Sequence, residues 1–200
     1  FRNDFSKNFH NGSALDAHPT TLTSGERLVV DASNNLATEV ITATGGAFSD
    51  SLTGGAGADT LTGNAGADTL TGGAGSDTIS GGTGIDQINA GGGIDVIDAG
   101  AGNDIIIVSV NADFKTSGGA ETVDGGAGND TLRFTATGAD LAITAPEMES
   151  ITGIETIDAS DDIAGYATSV TLGNGFFTSN GSSSIIYDGN DTTNNDSDNK

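Results

Sequence analysis

Gly45–Ile107 reads, in blocks of nine, GGAFSDSLT, GGAGADTLT, GNAGADTLT, GGAGSDTIS, GGTGIDQIN, AGGGIDVID and AGAGNDIII. The sixth place of every block is an aspartate: Asp50, Asp59, Asp68, Asp77, Asp86, Asp95 and Asp104. The eighth is aliphatic: Leu52, Leu61, Leu70, Ile79, Ile88, Ile97 and Ile106. Glycines crowd the first, second and fourth places as Gly54, Gly55, Gly57, Gly63, Gly66, Gly72, Gly73, Gly75, Gly81, Gly82, Gly84, Gly91, Gly93, Gly100 and Gly102. A fixed short period of this kind marks a chain that stacks on itself. The last three residues of each block predict a short strand with one aliphatic side chain inward and polar flanks outward, and the six before them predict a turn. One aliphatic per block, at about 25 cal/mol per Å² buried, cannot offset an ordering cost of about 1–2 kcal/mol per residue. The stack therefore needs a second source of cohesion.

Composition narrows what that source is. The 200 residues include 32 glycines without a three-residue period, only two prolines, 5% aromatics and a formal net charge of −22. So acidic a chain repels phosphate, which argues against nucleic acid and anionic lipid and makes cations the natural partner. The absence of cysteine removes disulfides and thiolate metal sites and leaves hard oxygen donors. Glycine at the first, second and fourth places is expected to take positive φ and to let bare carbonyls point at one centre, with the aspartate closing the shell. Calcium accepts six to eight oxygens at about 2.3–2.6 Å in irregular geometry, whereas magnesium resists that dehydration. Coils stacked about 4.8 Å apart would set carboxylates in columns, each pair repelling by about 3.5 kcal/mol at an effective dielectric near 20. An ion between successive turns reverses that sign.

The blocks resemble the calcium-binding nonapeptide of the RTX (hemolysin-type) family, glycine-glycine-x-glycine-x-aspartate-x-aliphatic-x. The resemblance covers 45–107 strongly and 116–133 more weakly. It implies an all-β fold: a right-handed parallel β-roll (β-solenoid) with calcium between turns, followed by further β-rich structure. It also implies that two nonapeptides form one coil, so that turns 18 residues apart share an ion: Asp50 with Asp68, Asp59 with Asp77, Asp68 with Asp86, Asp77 with Asp95, and Asp86 with Asp104. That gives about five Ca2+ ions in the main roll, held by these aspartates and the turn glycines. Further along, GGAGNDTLR adds Gly125, Gly126, Gly128 and Asp130, and TSGGAETVD carries Glu121 in the acidic slot. Departures are local. Phe48 stands at a fourth place, so the first turn is expected to bind poorly or to act as a cap. Asn64 at a second place tolerates left-handed backbone. Ala90 and Ala99 stand at first places, where a carbonyl remains but the backbone is less free.

Around the repeats the chain divides into five expected segments. Residues 1–44, with the Leu28-Val29-Val30 and Val40-Ile41 clusters, read as an N-terminal cap with leading strands, and 45–107 as the roll. Residues 108–133 read as a loop followed by degenerate repeats. Asp104 to Asp130 is one residue short of three repeats. Residues 134–187 read as a β-rich segment without calcium loops, in which GIETID keeps half the repeat, and 188–200 as an acidic tail or linker.

Catalytic readings find no support in motifs. There is no His-Glu-x-x-His, no glycine-x-serine-x-glycine elbow, and the two histidines, His10 and His18, fall in the N-terminal segment. The abundant acids are better explained by ion ligation than by acid/base chemistry. An ice-binding face would need a repeated Thr-Gly-Asn surface, and only Thr83 fits its threonine slot. Thr60, Thr69 and Thr78 read as solvent-side β-formers. The expected function is thus non-enzymatic: a structural calcium-binding module of an extracellular, self-assembling surface protein (a surface layer, filament or adhesin), folding on calcium after type I secretion from a Gram-negative bacterium. Expected partners are calcium, neighbouring copies of the chain in an oligomer, lattice or filament, and cell-surface polysaccharide, with no nucleic acid and no membrane insertion. The alternative is an accessory RTX module of a secreted enzyme or toxin. Starting at Phe1 and lacking a recognisable export signal in DTTNNDSDNK, the chain is expected to be part of a longer protein.

Overall fold

Parallel pairing is the rule throughout the computed structural model, which describes residues 4–8, 27–34, 39–109, 121–135, 141–143, 150–158, 168–170 and 184–186. In chain order the strands are β1 (Asp4–Asn8), β2 (Arg27–Asp31), β3 (Thr42–Thr44), β4 (Ser51–Gly55), β5 (Thr60–Ala65) and β6 (Thr69–Ala74). Then come β7 (Thr78–Thr83), β8 (Gln87–Gly92), β9 (Val96–Gly102), β10 (Ile105–Ser109), β11 (Thr122–Asp124) and β12 (Ala127–Gly128). The last six are β13 (Thr131–Thr135), β14 (Leu141–Ile143), β15 (Ile151–Thr152), β16 (Thr156–Asp158), β17 (Thr168–Val170) and β18 (Ser184–Ile186). Among the described residues no helix is long and apolar enough to cross a membrane.

Successive blocks alternate between two sheets. A nine-stranded sheet runs β1-β2-β4-β6-β8-β10-β13-β16-β18, and a seven-stranded one runs β15-β11-β9-β7-β5-β3 with β12 beside β9. Leu52 pairs with Leu70 and Leu70 with Ile88, while Leu61 pairs with Ile79 and Ile79 with Ile97. Two nonapeptides therefore make one coil, as the family resemblance implies. The eighth-place aliphatics form two columns facing each other, and all seven are essentially inaccessible to solvent. Thr60 and Thr78 lie outward on one sheet and Thr69 outward on the other, exposed as expected of β-formers on the solvent side.

The strands are longer than the expected three residues. β5 to β8 each span six, because the first three places of the following block stay extended and pair with the coils on either side. Bare glycines let backbone lie against backbone there, and the true bend is confined to the fourth to sixth places.

Register survives beyond Ser109. Thr131 pairs with Ile105 and Thr122 with Val96, so both halves of the next coil stand 26 residues from their partners. The 26-residue interval is one coil, lengthened by eight residues beyond the regular 18. The tandem continues past Arg133: β16 pairs with β13 and β18 with β16, while β14 and β17 pair as a separate two-stranded sheet. Phe134, Ile151, Ile154 and Ile157 fill the interior of these later coils. At the other end β2 pairs with β4 and β1 with β2, so this part of the leading segment extends the same sheet. His10, His18, the residue 110–120 portion of the expected loop and first degenerate repeat, and the 188–200 tail lie outside the described residues.

Candidate metal centre: two columns of carboxylates

Each repeat aspartate precedes a strand, and the strand register stacks it directly over its counterpart in the next coil. The backbone N–H of Asp50 donates to Oδ1 of Asp68 (2.6 Å), that of Asp68 to Asp86 (2.8 Å), that of Asp86 to Asp104 (2.8 Å) and that of Asp104 to Asp130 (2.8 Å). On the opposite edge Asp59 donates to Asp77 (2.7 Å), Asp77 to Asp95 (2.7 Å) and Asp95 to Oε2 of Glu121 (2.8 Å). Leu28 and Ile41 head the two columns, their N–H groups donating to Asp50 (2.6 Å) and Asp59 (2.7 Å). Apolar residues thus end the acid columns on the N-terminal side. This acceptor role of Oδ1 is not visible in the sequence, since only stacking reveals which N–H lacks a strand partner.

The second carboxylate oxygen is the telling one. Oδ2 of Asp59, Asp68, Asp77, Asp86, Asp95, Asp104 and Asp130 and Oε1 of Glu121 are buried and have no hydrogen-bond partner. Each such orphan costs about 1–3 kcal/mol, more when charged, unless something fills the void beside it.

The first-place glycines shape that void. A Cβ on Gly54 would collide with Asp59 Oδ2 and the carbonyl oxygen of Gly72; one on Gly63 would meet Asp68 Oδ2 and the Gly81 carbonyl; one on Gly72 would meet Asp77 Oδ2 and the Ala90 carbonyl. Gly81 faces Asp86 Oδ2 and the Ala99 carbonyl in the same way. Every regular cradle thus joins a carboxylate of one coil to a carbonyl of the next. Positive φ was expected at first, second and fourth places. It occurs at the second, in Asn64, Gly73, Gly82, Gly91, Gly100 and Gly126, and the fourth, in Gly66, Gly75, Gly84, Gly93 and Gly128. At Gly54, Gly63, Gly72 and Gly81 the first place holds glycine for space, not for conformation, while Ala90 and Ala99 hold it in the last two blocks.

Departures from the repeat fall into place locally. Asn64 adopts φ 77° and its amide donates to the Gly45 carbonyl at 2.7 Å. Phe48 turns outward, 44% exposed, and in that first turn Asp50 Oδ2 already accepts the Gly46 N–H at 2.6 Å. Ala90 and Ala99 still offer their carbonyls to the cradles of Gly72 and Gly81. Gly55 and Gly57 are buried in their turn, and Gly102 and Gly128 stack on the carbonyls of Gly84 and Gly102.

In the metal-free state burial pushes the carboxyls of Asp59, Asp68, Asp77, Asp86, Asp95, Asp104 and Asp130 above their ordinary range. Asp68, Asp77 and Asp130 reach about 6, chiefly by desolvation, against the opposing backbone hydrogen bond and with further upward push from neighbouring acids in the column. Carboxylates so placed are costly as bare anions, and a cation beside them offsets that cost. Among the described residues no three His, Cys, Asp or Glu side chains converge, so any ion here draws on carboxylates together with main-chain carbonyls. An all-oxygen set mixing charged and neutral donors fits calcium.

Residues 44–79, 80–114 and 116–133 match the family model of the RTX calcium-binding nonapeptide repeat. The roll is built of RTX repeats. No curated protein and no solved structure matches the chain. The RTX region is a calcium-binding module with acid slots enough for several ions. Bound calcium would supply the positive charge that neutralises the columns and ties each coil to the next.

Proposed function

We propose that this RTX module folds when it meets calcium outside the cell and serves as a stiff segment of a self-assembling surface protein, in a surface layer, filament or adhesin. The observation carrying the reading is the run of buried carboxylate oxygens without donors along both edges. A chain so charged is held apart by its own acids when calcium is scarce and zipped coil by coil when calcium is plentiful. The individual ligands are assigned to the repeat aspartates with the carbonyls of the first-place residues that face them. Assembly is supported by the architecture: a solenoid ends in open strand edges that can add strands from a neighbouring copy.

Two measurements test this. Circular dichroism in excess chelator is expected to lose the β-signal, and retention of that signal would refute calcium-dependent folding. Electron microscopy of purified chain at millimolar calcium is expected to show sheets or fibres. Particles that stay monomeric would refute assembly and favour an accessory module of a secreted enzyme.

A further inference from the structure

The acid columns do not end where the nonapeptide does. We infer that one more calcium site closes the Asp50–Asp130 edge, between the Gly125–Asp130 turn and the Gly153–Glu155 turn, with Asp130, Glu155 and the Gly153 carbonyl as donors. The inference rests on the calcium reading of the roll and adds a site outside the residues that match the repeat.

Three features of the regular cradles recur here. Glu155 occupies the acid slot: it precedes β16, which pairs with β13 in register, and its Oε2 accepts the Asp130 N–H at 2.8 Å. Asp130 is fully buried, its Oδ1 accepts from Asp104, and its Oδ2 has no partner. Gly125 stands in the first place, and a Cβ there would strike the Gly153 carbonyl oxygen, just as one on Gly54 strikes that of Gly72. This turn differs from the regular cradles in that the same Cβ would meet Asp130 at its Cβ, 2.9 Å away, and not at Oδ2; what ties Asp130 to the site is its buried Oδ2 without a donor, one coil from Glu155 and Gly153.

The turn itself is shortened. In a regular block four residues separate the first-place glycine from its acid, whereas only Ile154 lies between Gly153 and Glu155. Gly153 takes φ 66°, and a Cβ on it would crowd the Gly126 nitrogen and Asp124 Oδ1 at 2.9 Å, so the backbone must approach bare. The extra methylene of glutamate restores the reach that a compressed turn removes. Burial first, and then the charges of Asp104, Glu155 and Asp124, disfavour the ionised form of Asp130, a cost that a cation beside it would relieve.

Glu155→Gln tests the site because glutamine keeps an acceptor for the Asp130 N–H and removes only the charge. Equilibrium dialysis with radiolabelled calcium, run beside circular dichroism, is expected to show one ion fewer per chain with the β-signal in calcium retained. Glu155→Asp, which keeps the charge but shortens the reach, is expected not to recover the ion. An unchanged ion count in Glu155→Gln overturns the site, and so does a loss of ions accompanied by collapse of the β-signal, which would make Glu155 purely structural. A wild-type chain that binds no calcium would overturn the reading of the whole roll, an outcome separable from failure of this site alone.

Discussion

The coils between Gly45 and Ile107 and those after Glu121 obey the same stacking rules with different spacing. In the first region every acid lies 18 residues from its partner; in the second the intervals are 26 and 25. Both keep an acid before the strand and an aliphatic inside it. What defines the coil is therefore the slot, not the count, since intervals of 18, 25 and 26 all bring acid and strand into register. The second region also compensates for sparser glycine with a fuller interior, where Phe134 and Ile154 add to the single aliphatic column.

The largest expected effect separates the two regions directly. Removing calcium should melt the 45–107 coils completely, whereas the fuller interior of the later coils should leave more residual hydrogen-exchange protection at Leu132 and Ile157. Equal protection in both would erase the distinction. Next, Leu70→Ala at saturating calcium should cost about 2–5 kcal/mol, since a fully buried column residue is truncated between rigid backbones. Denaturant titration measures it.

Asp77→Asn keeps a side-chain acceptor yet removes charge from the middle of one column. It should raise the calcium concentration at the folding midpoint about tenfold, equivalent to about 1.4 kcal/mol. The pH response should change sign with calcium. Because Asp68, Asp77 and Asp130 are raised to about 6 from 3.8, the metal-free fold is least penalised below pH 4 and loses stability as pH rises through about 6. Circular dichroism without calcium should thus gain β-signal on acidification, while apparent calcium affinity should fall below about pH 6. The smallest effect concerns the insertion. Deleting residues 110–117, which restores an interval of 18 between Asp95 and Glu121, should shift stability by less than about 1 kcal/mol, because loop length enters only logarithmically. A large loss would mean that those residues pack on the roll.

Much of the site is legible in the sequence because the repeat is local: an aspartate, a glycine bend and an aliphatic recur within nine residues and need no distant partner to be read. Glu155 is harder to see. By sequence GIETID is a half-repeat without a metal loop, and only the stacking of Gly153 on Gly125 shows that a cradle remains.

The sequence alone determined the two inward columns, the acid slots and the choice of hard oxygen donors, because side-chain chemistry at a fixed period is independent of what the chain later touches. Tertiary structure decided which coil lies over which, that Oδ1 caps the preceding coil's N–H while Oδ2 is left for an ion, and that Gly54, Gly63, Gly72 and Gly81 are glycines for want of room. Those are properties of contact between coils 18 to 26 residues apart, and such contacts exist only once backbone has been laid against backbone.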